Sequence, residues 1–430
     1  MTIATRMKSR KVVFSWALYD FANSSFTTLI VTFIYATYFT KAIAENETVG
    51  TTQWSLAVTA SAIIVALLSP YLGAIADRGG YRRRFLLLST VVGVLGSVLL
   101  FFPGEGQVLL ALSIFAIANV AFEMGLVFYN AYLPDIATPD KIGRVSGFGW
   151  GLGYIGGLLC LVVALFAFVQ TDSPILGFST DGGENIRATN LLVAVWYGLF
   201  ALPIFLCVKD PASATRPKGE NILREANRQL IGTFNNIRSQ YRQILRFLIA
   251  RLVYNDGLIT MFAFGGIYAQ GTFGFSTEEV IVFGIVLNVA AGIGALAMGY
   301  LDDWVGGKQT IYISLVGLIG FGLLAVLTSS VTWFWVSGIG MGILIGPNQS
   351  ASRSLMGRFV PKEKETEFYG FFAFSGKATA FMGPLLLGWC TLLFDSQRVG
   401  VSTVLLFFVV GCYLLHRVNE KEGMAMASAR

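Results

Sequence analysis

Five ionisable side chains stand inside long apolar runs of this 430-residue chain: Asp20, Glu123, Arg251, Asp256 and Lys377. A charge at the centre of a membrane helix costs about 2.5–3.5 kcal/mol on insertion scales. Each must therefore face a polar cavity or a partner. Asp20 and Asn23 lie three residues apart, on one helical face. Asn119, Glu123 and Asn130 form a stripe at helical spacing, and Arg251 shares a face with Asn255, with Asp256 beside it. Asn348 and Gln349 fall near the end of a later run. Such groups can bind a small polar solute or an ion, or they can pair with one another and fix the packing. Asp20 and Glu123 have no evident cation on their own helices. Lys377, in Ser375-Gly376-Lys377, can hold a carboxylate of a solute or of the other half of the chain.

The elements that must position these groups are helices in lipid. The chain is 55% hydrophobic and only 13% charged, where a soluble domain is nearer a quarter charged. A spanning helix needs about 20 mostly apolar residues. Twelve runs meet that need, at 13–39, 53–76, 84–102, 107–133, 143–169, 188–208, 244–270, 277–301, 309–328, 331–352, 366–394 and 398–416. Placing the N-terminus in the cytoplasm puts 26 of the 31 Lys and Arg on that side. Lys41, Arg187 and Arg398 fall opposite, and Arg251 and Lys377 lie within runs. This is the positive-inside asymmetry, and it predicts twelve membrane helices with both termini cytoplasmic. The first apolar run is too long for the core of a cleavable signal.

The net charge of +6 thus reads as membrane topology, not nucleic-acid binding. His416 is the only histidine, and Cys160, Cys207, Cys390 and Cys412 stand alone. That spacing offers no metal set and no disulfide. Two motifs are discarded. Gly151-x-Gly153-x-x-Gly156 lies in an apolar helix with no strand before it, so its glycines serve close packing. Ser375-Gly376-Lys377 lacks the glycine spacing and following Ser/Thr of a phosphate loop, so no ATP site or other cofactor is expected. Asn46-Glu47-Thr48 matches a glycosylation sequon, meaningful only in a eukaryotic secretory route.

The chain divides six runs from six at 209–243, a basic, polar connection. Leu223, Leu230, Ile237 and Ile244 recur there every seven residues, beside Ala226 and Tyr241. This predicts an amphipathic helix on the cytoplasmic membrane surface. The halves echo one another. Asn23 precedes Tyr35 by the same interval as Asp256 precedes Tyr268. Gly73-x-x-x-Asp77-Arg78-x-Gly80-x-Arg82 matches Gly299-x-x-x-Asp303-x-x-Gly306-x-Lys308, and Asn130 matches Asn348. The domains expected are 1–208 and 244–430, two parallel six-helix repeats. Asp77, at the end of the second run, can accept hydrogen bonds from a neighbouring helix N-terminus. Such a contact would latch the outward-open state and break on inward opening. Gly73, Arg78, Gly80, Arg82 and Asp303 belong to the same expected latch, although simple topology anchoring explains part of the arginine cluster.

GAIADRGGYRR (73–83) resembles the loop signature of the major facilitator superfamily between its second and third helices. WALYDFANSSF (16–26), VFYNAYLPDIA (127–137), GRVSGFGWGLGYIGG (143–157) and SRSLMGRFVPKEKETEFYGFFAFSGKATAFMGP (352–384) resemble its vacuole-effluxer-like family. The compactness is similar to that of a bacterial relative. The resemblance implies two six-helix bundles around a cavity lined by helices 1, 4, 7 and 10, and it implies amino-acid export, as associated with fungal members.

The expectation is a monomeric secondary transporter in the cell's inner membrane, not an enzyme. It would move a small molecule by alternating access. Asp20 and Glu123 can couple it to H+, because burial favours the protonated carboxyl. Uniport or another coupling ion fits equally. A membrane-embedded enzyme would need His, Cys or Asp grouped at headgroup level, and a receptor or scaffold gains nothing from five intramembrane charges.

Overall fold

The computed structural model describes residues 9–210 and 222–428. Arg6, Lys8 and the 211–221 part of the connection lie outside them. The described residues form helices and no strand. Six long helices precede the connection: α1 (Arg10–Ile43), α2 (Glu47–Gly79), α3 (Arg82–Leu99), α4 (Val108–Asn130), α5 (Ile142–Val169) and α6 (Glu184–Cys207). The connection holds α7 (Ile222–Asn236). Then come α8 (Arg242–Phe273), α9 (Thr277–Val305), α10 (Gly307–Leu327), α11 (Val331–Phe359), α12 (Glu365–Phe394), α13 (Gln397–His416) and the short α14 (Glu420–Ser428).

Among the described residues, ten helices are long and apolar enough to cross a membrane. The other two long ones, α3 and α11, are diluted by Arg82, Arg83 and Arg84 and by a polar stretch after Pro347. Leu67, Leu109, Leu206 and Leu392 are exposed on the outside, a surface suited to lipid and not to water. The protein is a multi-pass membrane protein.

Several helices outrun their apolar limits. Asn46 caps α2 by accepting the Val49 amide, 2.9 Å away, so α2 starts well before residue 53. α11 continues past residue 352 to Phe359 and carries Arg353 and Arg358 within it. In α1 the backbone widens at Phe26–Phe33, where the Ile34 amide bonds back five residues to Leu29. α12 is broken: its first half ends at Lys377, turns fill 378–381, and a second half starts at Met382.

One hydrophobic cluster gathers Trp16, Tyr19, Phe26, Trp54 and Phe115 with other residues of α1–α6. A second gathers Phe247, Tyr254, Leu315, Leu355 and Phe408 of α8–α13, with Val127 of α4 and Ala131 just after it. Between them, α2 packs on α12 and α5 packs on α9. Glycines permit the close approach. At Gly156 a Cβ would strike the Phe21 carbonyl, and at Gly151 it would strike Leu296. The dinucleotide-like glycines are packing positions.

Helix α7 turns part of the seven-residue face toward protein, with Leu230 and, just beyond its end, Ile237 packed on the second cluster. Its buried side chains are Ala226, Gln229 and Thr233, while Leu223, Ile231 and Phe234 are exposed. Ala226 packs on Ala74 and Ile75 of α2, and Gln229 donates to Glu367 of α12. Helix α7 therefore docks on protein across α2 and α12, besides offering an apolar flank outward.

Candidate functional site

The loop after α2 and the loop after α9 each turn on a glycine of positive φ. Gly80 (φ 60°) and Gly306 (φ 96°) leave their helices in a region that glycine enters without strain. Asp77 and Asp303, three residues before each, point at helix starts in the other half of the chain. The Asp77 carboxylate accepts the amides of Thr366 (3.1 Å) and Glu367 (2.8 Å) at the start of α12. The Asp303 carboxylate accepts the amides of Gly143 (2.7 Å) and Arg144 (3.2 Å) at the start of α5, and also Arg144 Nε at 2.5 Å. Each satisfies orphan N–H groups and meets the positive end of a helix dipole.

Arginines reinforce both caps. Buried Arg82 donates to Asp135 (2.6 Å), Glu365 (3.1 Å), Thr366 Oγ1 (2.9 Å) and the Ala131 carbonyl (3.0 Å), with Asp77 at 3.5 Å. Buried Arg358 donates to Asp302 (2.5 Å) and the Pro139 carbonyl (3.2 Å), and lies 3.6 Å from Asp303. Gly73 admits the α12 backbone, since a Cβ there would strike the Thr366 carbonyl. Arg78 is exposed and takes no part in these contacts.

Deeper in, two of the carboxylates meet cations from other helices. Asp20 meets Arg353 of α11, whose Nη1 lies 2.9 Å from its Oδ2. The same guanidinium donates to Ser146 Oγ (2.9 Å), the Ser146 carbonyl (2.7 Å) and Asn130 Oδ1 (3.3 Å). It also lies over the Trp16 ring, 4.9 Å from the centroid. Glu123 is paired too, with Lys377 Nζ at 2.6 Å. Lys377 thus meets a carboxylate of the opposite half. The carboxylates looked unpaired only because helical spacing reveals partners within one helix.

Arg251 and Asp256 form no ion pair with each other. Arg251 donates to the Phe372 carbonyl (2.7 Å) and Ser375 Oγ (2.9 Å) and stacks on Phe372. Asn255 donates to the Gly376 carbonyl at 3.1 Å. Both grip the end of the first half of α12. Asn348 is wholly buried and donates to Ser314 at 2.8 Å, so it lines no opening. Asn23 is buried with its amide nitrogen unpartnered.

Among the described residues, every hydrogen bond and ion pair joining 9–210 to 222–428 lies between Glu123–Lys377 and the end that carries Arg10, α7 and α14. Arg353, Arg358, Asp135, Asp302 and Glu365 were absent from the sequence-derived site. Cutting the tenth run at residue 352 hid the first two. The absence of any proline between Pro347 and Pro361 was the signal that the helix runs on.

This geometry agrees with what the chain is similar to. Among solved structures, the proton:xylose symporter XylE superposes with a TM-score of 0.75 at 14% identity, over 97% of this chain and 98% of that one. The transporter FucP in the outward conformation gives 0.72 at 11% identity, over 95% and 98%. The chain therefore has the major facilitator fold. An MFS-type transporter of Bacillus subtilis, YxiO, itself uncharacterised, is 28% identical over 95% of this chain and 94% of its own length. Autophagy-related protein 22 of Saccharomyces cerevisiae is 23% identical over 86% and 78%. A profile described as vacuole effluxer Atg22 like matches residues 51–428. The chain belongs to the vacuole effluxer Atg22-like family.

Proposed function

We propose that this protein is a secondary transporter that exports a small zwitterion, such as an amino acid, by alternating access. Twelve helices span the cell's inner membrane with both termini in the cytoplasm. Residues 1–208 and 244–430 form two six-helix bundles that rock about a central site, and 209–243 ties them together. The positive-inside distribution supports this orientation. It makes the joined end cytoplasmic, so the structure is closed inward.

The observation that carries this reading is the reciprocal capping by Asp77 and Asp303. Each bundle holds a helix start of the other through contacts that rigid-body rocking would break. The fold relatives are transporters by name, and the family is named for efflux. The Glu123–Lys377 pair supports the zwitterion. It crosses the bundle interface near the deep end of the contacts, where an ammonium can replace Lys377 and a carboxylate can replace Glu123. A buried pair broken without such replacement is strongly destabilising. A proton gradient supplies the energy.

Proteoliposomes loaded with a mixture of labelled amino acids test this. Efflux should quicken when an unlabelled amino acid or an opposing proton gradient is applied outside. Efflux no faster than from protein-free liposomes, with every amino acid and gradient tried, would overturn the reading.

A further inference from the structure

Three carboxylates stand within the long apolar runs, and two are held by cations. Asp20 has Arg353 and Glu123 has Lys377. Asp256, on α8, is 98% buried, and among the described residues no Lys or Arg nitrogen lies within 4.0 Å of it. Its surroundings explain where it points. Thr379, inside the break of α12, donates to the Leu252 carbonyl at 3.4 Å and stands close to the Asp256 carboxylate.

Helix α8 grips α12 on both sides of that break. The carbonyls at the end of a half-helix have no partners of their own. Asn255 takes such a carbonyl, that of Gly376, while Arg251 reaches back a turn to the Phe372 carbonyl, which Ser375 Oγ also bonds. One turn on, Gly383, second residue of the other half, fits against the Asp256 backbone and Thr260, where a Cβ would collide. The cation thus stands at the negative end of one half-helix, and the Asp256 backbone stands against the start of the next. Broken helices flanked this way form ion sites in secondary transporters.

The neighbours leave Asp256 without a counter-charge. On its own helix, Arg251 is committed to α12, and Tyr254 points to Ser352 of α11 at 2.8 Å. On α12, Lys377 is committed to Glu123. Helix α13 presents Phe407 and Phe408 to Gly257, the next residue. A lone carboxylate is costly there, and the same carboxyl carrying a proton is not.

We propose that Asp256 is the group that takes up and releases the coupled proton, as the break in α12 closes on it and opens. This rests on the transport reading and moves the coupling role from Asp20 and Glu123, both occupied by cations. Loading forms an O–H bond on the carboxyl with a proton from one side. Release returns that proton to the other side and leaves the carboxylate to Thr379.

Infrared difference spectroscopy of the protein in lipid nanodiscs, titrated with pH and with no solute present, tests it. The wild type should show a protonated-carboxyl band near neutral pH that disappears on alkalinisation. Asp256→Asn should lose that band, Asp256→Glu should keep it at a shifted frequency, and Asp20→Asn should retain it. Absence of any such band in the wild type overturns the proposal, whatever the variants do. So does its persistence in Asp256→Asn. Loss of the band on replacing K+ by Na+ at fixed pH would mean a metal-cation site and also overturns it. The band is read without transport, so its failure is separate from a failure of solute flux.

Discussion

Asp77 and Asp303 do the same work in opposite directions: Asp77 of α2 caps α12, and Asp303 of α9 caps α5. The degenerate repeat in the sequence is thus a symmetric pair of bonds across one interface. Removing a helix cap costs about 0.5–2 kcal/mol. That shifts the balance between closed and open states by roughly 2- to 30-fold. Spin labels at Arg78 and Lys362, both exposed, read the separation of the two sides. Asp77→Ala should lengthen their mean distance, and Asp77→Asn should do so less, since it keeps one acceptor. An unchanged distance distribution in Asp77→Ala would leave Asp77 a topology anchor only.

Glu123 and Lys377 should behave as a unit. Losing one partner of a charged hydrogen bond costs about 1.5–3 kcal/mol, and losing both costs less. Glu123→Gln or Lys377→Gln alone should lower the melting temperature in detergent, and the double variant should recover part of the loss. Additive losses in that double-mutant cycle would show that the pair carries no coupling.

How much of this was legible beforehand depends on where each partner lies. The cap at α12 was readable because Gly73, Asp77 and Gly80 have a local spacing that puts a carboxylate at a turn. The pairing of Glu123 with Lys377 was left open because 254 residues separate them, and periodicity carries no information over that distance. Arg353 went unnoticed because Asn348, Gln349 and Ser350 ended the apolar run, although they do not end the helix. The break in α12 had a signal, Gly383-Pro384, since proline is tolerated in a helix's first turn and not in its middle.

Arg353 makes a sharper demand than its charge. It spreads over Asp20, Asn130, Ser146 and the Trp16 ring, a set that a lysine ammonium cannot reproduce. Arg353→Lys should therefore lose more thermal stability than Asp20→Asn. Equal melting temperatures for Arg353→Lys and wild type would reduce Arg353 to a point charge.

Backbone approach in the C-terminal bundle gives a contrast with an internal control. A Cβ at Gly346 would strike the Ala291 carbonyl, whereas Gly232 in α7 faces open space. Overpacking costs about 1–3 kcal/mol, and a helical Gly→Ala without strain gains about 0.4–1 kcal/mol. Gly346→Ala should lower the thermal midpoint and Gly232→Ala should hold or raise it. The reverse order would contradict the close packing of α9 on α11.

The central claim is that the joined end must open for solute to pass. In a cysteine-free background, Arg144→Cys on α5 and Tyr300→Cys on α9 place thiols on facing, exposed positions; the native side chains already stack, 5.3 Å apart. A short bismaleimide across them should stop amino-acid exchange in proteoliposomes. A thiol-cleavable reagent of equal length should stop it until reduction restores it. Exchange that continues at the uncrosslinked rate, with crosslinking shown to be complete, would contradict alternating access through this interface.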